Sequence, residues 1–202
     1  MVNYKELTEN RKQMLKGVLC VSPFKPSRTS VMFESIRARL LGLYVKWHLH
    51  QGRGVVVVGQ CGAGKTFLLS RAFPGRVVSP DMPSILAGRR TAFELRAMPS
   101  GMFAVDESSY FEATTFRNAF EGLKLRKVAF AVQHVSHIRS LKLHELFKDR
   151  LRIVFLGSRN DFLLQASAHH VESIPGHFPY RVVTIEQNIN QLRSPSDAND
   201  SK

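Results

Sequence analysis

Cysteine is nearly missing: 202 residues carry two, Cys20 and Cys61. Two thiols at that separation match no metal-ligand spacing and build no disulfide framework, so both are read as free thiols of a reducing compartment. Long apolar runs are missing as well. The best, residues 40–49, is interrupted by Lys46 and His48 and falls short of the roughly 20 residues that a membrane span needs. The first residues, Met1-Val2-Asn3-Tyr4-Lys5-Glu6, are polar and lack a signal-peptide pattern, so the expectation is a cytoplasmic protein without a transmembrane segment. Acidic residues are scarce, with 16 Asp and Glu against 29 Lys and Arg and a net charge of +13. Such an excess suits a polyanionic partner, nucleic acid or an anionic headgroup, or else a plainly solvated basic surface. No base-reading DNA or RNA motif of known spacing accompanies it. The guanine-reading Asn-Lys-x-Asp motif is also missing, as is any internal repeat. The adjacent His169 and His170 lack the separation of three or four residues that a helical metal site requires, and no metal is assigned to the histidines.

The 44% of hydrophobic residues is an ordinary globular value, enough for one α/β-sized domain to bury a core without staples. Residues 1–30 form an N-terminal segment, read as a helix followed by irregular chain, with Ser22-Pro23-Phe24-Lys25-Pro26-Ser27 as a turn or linker. The domain proper is placed at residues 31–192, with a disordered polar tail at 193–202. Ser30 caps a helix that puts Phe33, Ile36, Leu40, Tyr44 and Trp47 on one stripe, expected to face the core, and Gly52 and Gly54 end it. The β-branched run at residues 55–58 reads as a strand buried on both faces. Helices at 65–73, 83–98, 113–125, 141–151 and 162–171 then alternate with strands at 76–79, 101–106, 127–133, 152–156 and 181–186. That alternation predicts a doubly wound, mainly parallel α/β sheet with its ligand at the carboxyl ends of the strands.

Three motifs sit at those strand ends. Gly59-Gln60-Cys61-Gly62-Ala63-Gly64-Lys65-Thr66 matches G-x4-G-K-[ST] completely, between a buried strand and a helix. Glycines let consecutive N–H groups turn inward on phosphate, and the opening helix adds the positive end of its dipole. Lys65 is expected to reach the β- and γ-phosphates and Thr66 to bind magnesium, with Phe67 closing the cofactor-binding set. A chance match in a chain of this size has a probability of about 1%, which leaves little room for an ordinary glycine-rich turn. Met102-Phe103-Ala104-Val105-Asp106-Glu107 describes a Walker B strand, in which Asp106 holds the magnesium shell and Glu107 polarises the attacking water. Taken alone it would be an acidic strand end with a capped turn. Val128-Ala129-Phe130-Ala131-Val132-Gln133 is an apolar strand ending in an amide, on its own a glutamine facing solvent; its resemblance to the strand beside Walker B in additional-strand, catalytic-glutamate P-loop NTPases implies that Gln133 is a γ-phosphate sensor.

The room between Lys65 and Asp106 for a helix, a strand and a second helix, together with the glutamate after the aspartate, resembles the additional-strand, catalytic-glutamate division of P-loop NTPases, which implies a RecA-like fold, ATP and Mg2+. More narrowly, Phe130-Ala131-Val132-Gln133-His134-Val135-Ser136 resembles the strand-Gln motif of FtsK/HerA-like motor ATPases. Arg152-Ile153-Val154-Phe155-Leu156-Gly157 with Asn160-Asp161 is similar to the next strand and turn of the conjugative coupling proteins among them. A Zot-type phage assembly ATPase is a further resemblance. These likenesses cover roughly residues 52–190. They imply an ATPase serving DNA transfer, packaging or a mobile element, with nucleic acid (DNA above all) or a nucleic-acid machine as partner. A protein partner is expected, and a homo-oligomer stays open. Arg139, Arg150 and Arg159 are the candidates for an arginine finger supplied by a neighbouring subunit. Two other functions compete: an ATP-dependent switch that regulates a larger transfer motor with little turnover, and a small-molecule kinase.

Overall fold

The computed structural model of the chain describes residues 9, 12, 14–25, 30–124 and 126–168. Among the described residues, six parallel strands form one sheet: β1 (Val18–Val21), β2 (Gly54–Val58), β3 (Val77–Val78), β4 (Met102–Val105), β5 (Lys127–Val132) and β6 (Leu151–Leu156). Their spatial order is β1-β6-β2-β5-β4-β3. The helices are α1 (Val31–His50), α2 (Lys65–Ala72), α3 (Met82–Leu86), α4 (Ala113–Asn118), α5 (Phe120–Lys124), α6 (Ser136–Ser140), α7 (Leu143–Phe147) and α8 (Arg159–Ala168). The strand that follows β2 in sequence, β3, lies at the sheet edge. The strand between β2 and β4 in space is β5.

A parallel sheet covered on both faces needs apolar residues at successive positions, and all five residues of β2 are buried. Alternation along the strands sends the two sets of side chains to different layers. Val55, Val57, Ala104, Ala129, Ala131 and Val154 face α1 and α2. Val56, Val58, Phe103, Phe130, Ile153 and Phe155 face the layer of α4 to α8. The first face is lined with small residues, so α1 and α2 lie close against it. The second carries the rings of Phe103, Phe130 and Phe155, and α4 to α8 fill around them. Each fully buried phenylalanine there removes enough apolar surface from water to stabilise the fold by about 2–3 kcal/mol. The expected parallel α/β sheet with helices on both faces is therefore present.

Several local expectations are corrected. Residues 18–21, expected to lie in irregular chain, form edge strand β1, in register with β6 from Val18 opposite Ile153 to Val21 opposite Leu156. Four half-buried residues are too few to show a period. The helix expected over 83–98 is only α3 and a 3-10 turn at Leu95–Ala97. Gly88 (φ 70°) ends α3, Arg89 N–H closes back on the Ser84 carbonyl, and Thr91 bridges to Phe111. The helix expected over 113–125 breaks at Ala119 into α4 and α5. Of 141–151, only Leu143–Phe147 is α-helical; Lys148 turns with φ 49°, and β6 opens at Leu151. Helix α6 was not anticipated. The strand expected at 181–186, the tail at 193–202, His169, His170 and most of the N-terminal helix lie outside the described residues.

The largest correction concerns α1. The stripe expected to face the core instead faces outward, with Phe33 67%, Ile36 48%, Leu40 63% and Trp47 54% exposed and Tyr44 half-buried. The buried face is Ala38, Leu41, Gly42, Val45, His48 and Leu49. Its residues are smaller for a physical reason: α1 crosses α2 so closely that a Cβ on Gly42 would lie 2.9 Å from the Ala72 Cβ. A side chain at position 42 has no room there. No described helix is long and apolar enough to cross a membrane.

Candidate functional site

The site is built where β2, β4 and β5 end. β2 runs into the loop 59–64, and Gly59 N–H donates to the Val132 carbonyl of β5 at 3.2 Å, which ties the loop to the neighbouring strand end. Gly62 (φ 76°) and Gly64 (φ 87°) take the left-handed turns that curl the loop, conformations that a Cβ disfavours by roughly 1–2 kcal/mol per residue. Gly64 is also the N-cap of α2. Helix geometry leaves the N–H groups of the first turn without intrahelical partners, and Leu68 N–H is the one that closes back on the Gly64 carbonyl. The N–H groups of Lys65, Thr66 and Phe67 therefore form a donor cluster at the positive end of the helix.

Lys65 is buried, 3% exposed, and its ammonium donates to the Gly59 carbonyl at 2.8 Å and the Gln60 carbonyl at 3.2 Å. It also stands 3.6 Å from Glu107 Oε1. A buried cation persists only where such partners offset its lost hydration. Asp106 is 2% exposed and follows the last residue of β4, which the ladder fixes beside β5. Thr66 Oγ1 donates to Asp106 Oδ2 at 2.5 Å, while Asp106 Oδ1 accepts from Glu107 N–H at 2.9 Å. Residues 40 positions apart in sequence are thus joined side chain to side chain.

Glu107 takes φ 45°, ψ 41°, a left-handed backbone that is uncommon outside glycine. The turn aims its carboxylate at β5 rather than at solvent. Gln133 Nε2, just past the end of β5, donates to Glu107 Oε2 at 3.1 Å and to Tyr110 Oη at 3.2 Å. The structure thus brings Lys65, Thr66, Asp106, Glu107 and Gln133 together. Phe67 adds its N–H to the donor cluster, while its half-buried ring packs on Phe24 at 5.8 Å, with Arg71 over it. Cys61 is exposed on the loop, and Ala63 is buried under it. Of the three arginine candidates, Arg139 and Arg159 follow the carboxyl ends of β5 and β6. Arg150 precedes β6 and lies at the opposite end of the sheet.

Two contributors were not expected from sequence. Phe24 straps the loop: its N–H donates to the Ala63 carbonyl at 3.0 Å, and a Cβ on Gly64 would come within 2.6 Å of the Phe24 Cβ. Nothing in the local sequence signals this contact. Tyr110 shares Gln133 with Glu107, and its only sequence signal is its place three residues after Glu107 on a tight turn. Beside the loop opens a cleft of about 330 Å³, bordered by Lys25, Gln60, Cys61, Gly157, Asp161 and Gln165.

Among the described residues, no group of three or more His, Cys, Asp or Glu side chains is placed to hold a metal by itself. The pair Thr66 and Asp106 nevertheless supplies two hard oxygens at one point, a donor set suited to a magnesium ion that keeps its remaining positions for phosphate oxygens and water. Comparison with protein-family models, with curated proteins and with solved structures finds no match to this chain.

Proposed function

We propose that the chain binds and hydrolyses ATP, with Mg2+, as a RecA-like P-loop protein serving a DNA-handling process such as transfer or packaging. The observation that carries this reading is the 2.5 Å hydrogen bond from Thr66 to Asp106, beside a buried Lys65 that faces Glu107. A glycine turn of purely structural use needs neither. The strand order supports it as well, since β5 lies between β2 and β4 and sets Gln133 beside Glu107.

In this reading the N–H groups of the loop and the first turn of α2 cradle the phosphates, and Lys65 exchanges its carbonyl partners for phosphate oxygens. Thr66 and Asp106 hold the magnesium ion, which when bound neutralises charge on the phosphate oxygens. Glu107 takes the proton of the attacking water as that water's oxygen bonds to the γ-phosphorus and ADP leaves. Gln133, which also donates to Tyr110, holds the Glu107 carboxylate in place. ATP is favoured over GTP because the guanine-reading motif is missing from the sequence. The net charge of +13 supports a nucleic-acid partner. A second reading, an ATP-dependent switch acting on a protein partner, draws support from the exposed apolar side of α1.

The test is ATP hydrolysis by the purified chain, alone and with single- or double-stranded DNA, beside Glu107→Gln. Turnover stimulated by DNA supports the motor-like reading. ATP binding with almost no turnover, indifferent to DNA, supports the switch. No ATP binding at all overturns both.

A further inference from the structure

Helix α1 runs for 20 residues, and the fold uses one side of it. On the other side Phe33, Ile36, Leu40, Leu43 and Trp47 are 67%, 48%, 63%, 62% and 54% exposed. Their separations run three, four, three, four, which is the 3.5-residue repeat of a coiled-coil seam. Met32, 78% exposed, widens the seam at its start. At 1.5 Å per residue it is about 21 Å long, roughly four helical turns. The open apolar strip amounts to several hundred Å², at or above the largest patch that a monomeric protein usually shows.

The flanks carry charge of one sign. Arg39 and Lys46 stand seven residues apart, each directly before a seam residue, so they line the same edge. Tyr44 and Arg37 line the other. The one acid of the helix, Glu34, is taken by Arg37 at 2.9 Å.

We propose that this seam docks an amphipathic helix of a protein partner whose flanking positions are acidic. The 3.5-residue repeat fits a partner helix, whose knobs and holes need that spacing, and a lipid surface, which accepts any single apolar helix face, is an outcome of the test below. Charge argues for the acidic flanks. A second copy laid antiparallel would set Arg39 and Lys46 against themselves, and laid parallel it offers them no acid. The aliphatic centre, Ile36, Leu40 and Leu43, gives stacked bases no aromatic platform. The proposal does not rest on nucleotide hydrolysis. It does give a partner a route to the site, because α1 lies directly on α2, the helix that leaves the phosphate loop.

Trp47 is the single tryptophan of the chain, so its fluorescence reads the seam directly. The experiment titrates full-length protein with a 21-residue helical peptide carrying leucine at the seam positions and glutamate at the flanks. A peptide with lysine at the flanks is the control. The expected result is a shift of Trp47 emission that saturates with the glutamate peptide, at least tenfold weaker binding of the lysine peptide, and loss of binding in Leu40→Glu/Leu43→Glu. That variant keeps its circular dichroism and Tm, because both residues face water. Equal binding of the two peptides, or binding of neither, overturns the proposal. So does saturable Trp47 response to phosphatidylserine vesicles or to single-stranded DNA that exceeds the response to the glutamate peptide. A dimer in sedimentation that Leu43→Glu dissolves overturns it in favour of a second copy.

Discussion

Glu107→Gln separates chemistry from binding. The change is isosteric, keeps the backbone turn at φ 45°, and leaves Gln133 a carbonyl oxygen to donate to. In the proposed reaction it removes the carboxylate that takes a proton from water. General-base assistance is worth about 10²- to 10⁴-fold, or about 2.7–5.5 kcal/mol of barrier. Affinity moves the other way. Lys65 stands 3.6 Å from Glu107 and must give up that attraction when phosphate arrives. Removing the attraction spares that loss, and for a partly solvated pair the gain is about 0.6–1.4 kcal/mol, a three- to tenfold tighter Kd for ATP. The assay is a phosphate-release kcat beside a calorimetric Kd on the same preparation. Expected is a kcat lower by at least 100-fold with ATP held as tightly or more tightly. A kcat within threefold of the parent would refute the assignment of Glu107 as base. Loss of ATP binding would show that the carboxylate holds the loop rather than serving the reaction.

Three more outcomes test the site and its frame. Lys65→Ala removes the charge that faces Glu107 and the phosphates, so calorimetry should show ATP binding weakened by at least tenfold, a loss of about 1.4 kcal/mol; retained turnover would sink the phosphate-loop assignment. Gly64→Ala combines φ 87° with a Cβ 2.6 Å from the Phe24 Cβ. It should cost about 2–4 kcal/mol and lower Tm by several degrees, while Gly75→Ala, at φ 65° in open space, should cost only about 1–2 kcal/mol. Equal Tm losses would show that Phe24 does not strap the loop. His48 should make stability fall in acid. Burial lowers its pKa to about 4, helped by Arg53 and Arg152, and Arg53 Nη1 lies 2.9 Å from its Nδ1. The unfolded chain binds that proton near pH 6.5 and the folded one only near 4, so the neutral ring's contribution is complete above pH 6.5 and is lost as pH falls between the two. After screening, the effect is about 1–2 kcal/mol. Urea midpoints from pH 7.5 to 4 should show it, and His48→Gln should flatten the slope; an unchanged slope in that variant would assign the loss to other groups.

The elements at the centre of the site follow from local sequence. Val55 to Val58 can only be a strand covered on both faces, the glycines of 59–64 can only be a tight loop, and the acids Asp106 and Glu107 stand at the end of an apolar run. These are local facts, set by side-chain branching, missing Cβ atoms and the order of residue types, and they appear at the expected ends of β2 and β4. Gln133 was legible as a strand end, but its hydrogen bond to Glu107 depends on β5 lying next to β4, and the chain order alone does not give strand adjacency. Tyr110 and Phe24 enter the site through a turn and a strap whose partners lie far away in sequence. β1 was hidden because four half-buried residues show no period.

Helix α1 marks the limit most sharply. Its sequence carries apolar residues on two sides, and periodicity alone favours the side with the larger ones. Which side faces inward was decided by space. Ala72 of α2 and the alanines of β4 and β5 bring the neighbours so close that only Ala38, Gly42 and the slimmer aliphatics fit. The large rings of Phe33 and Trp47 lie on the side away from that close contact. A sequence records how apolar a residue is, whereas the room it will find depends on the packing of elements far away in the chain.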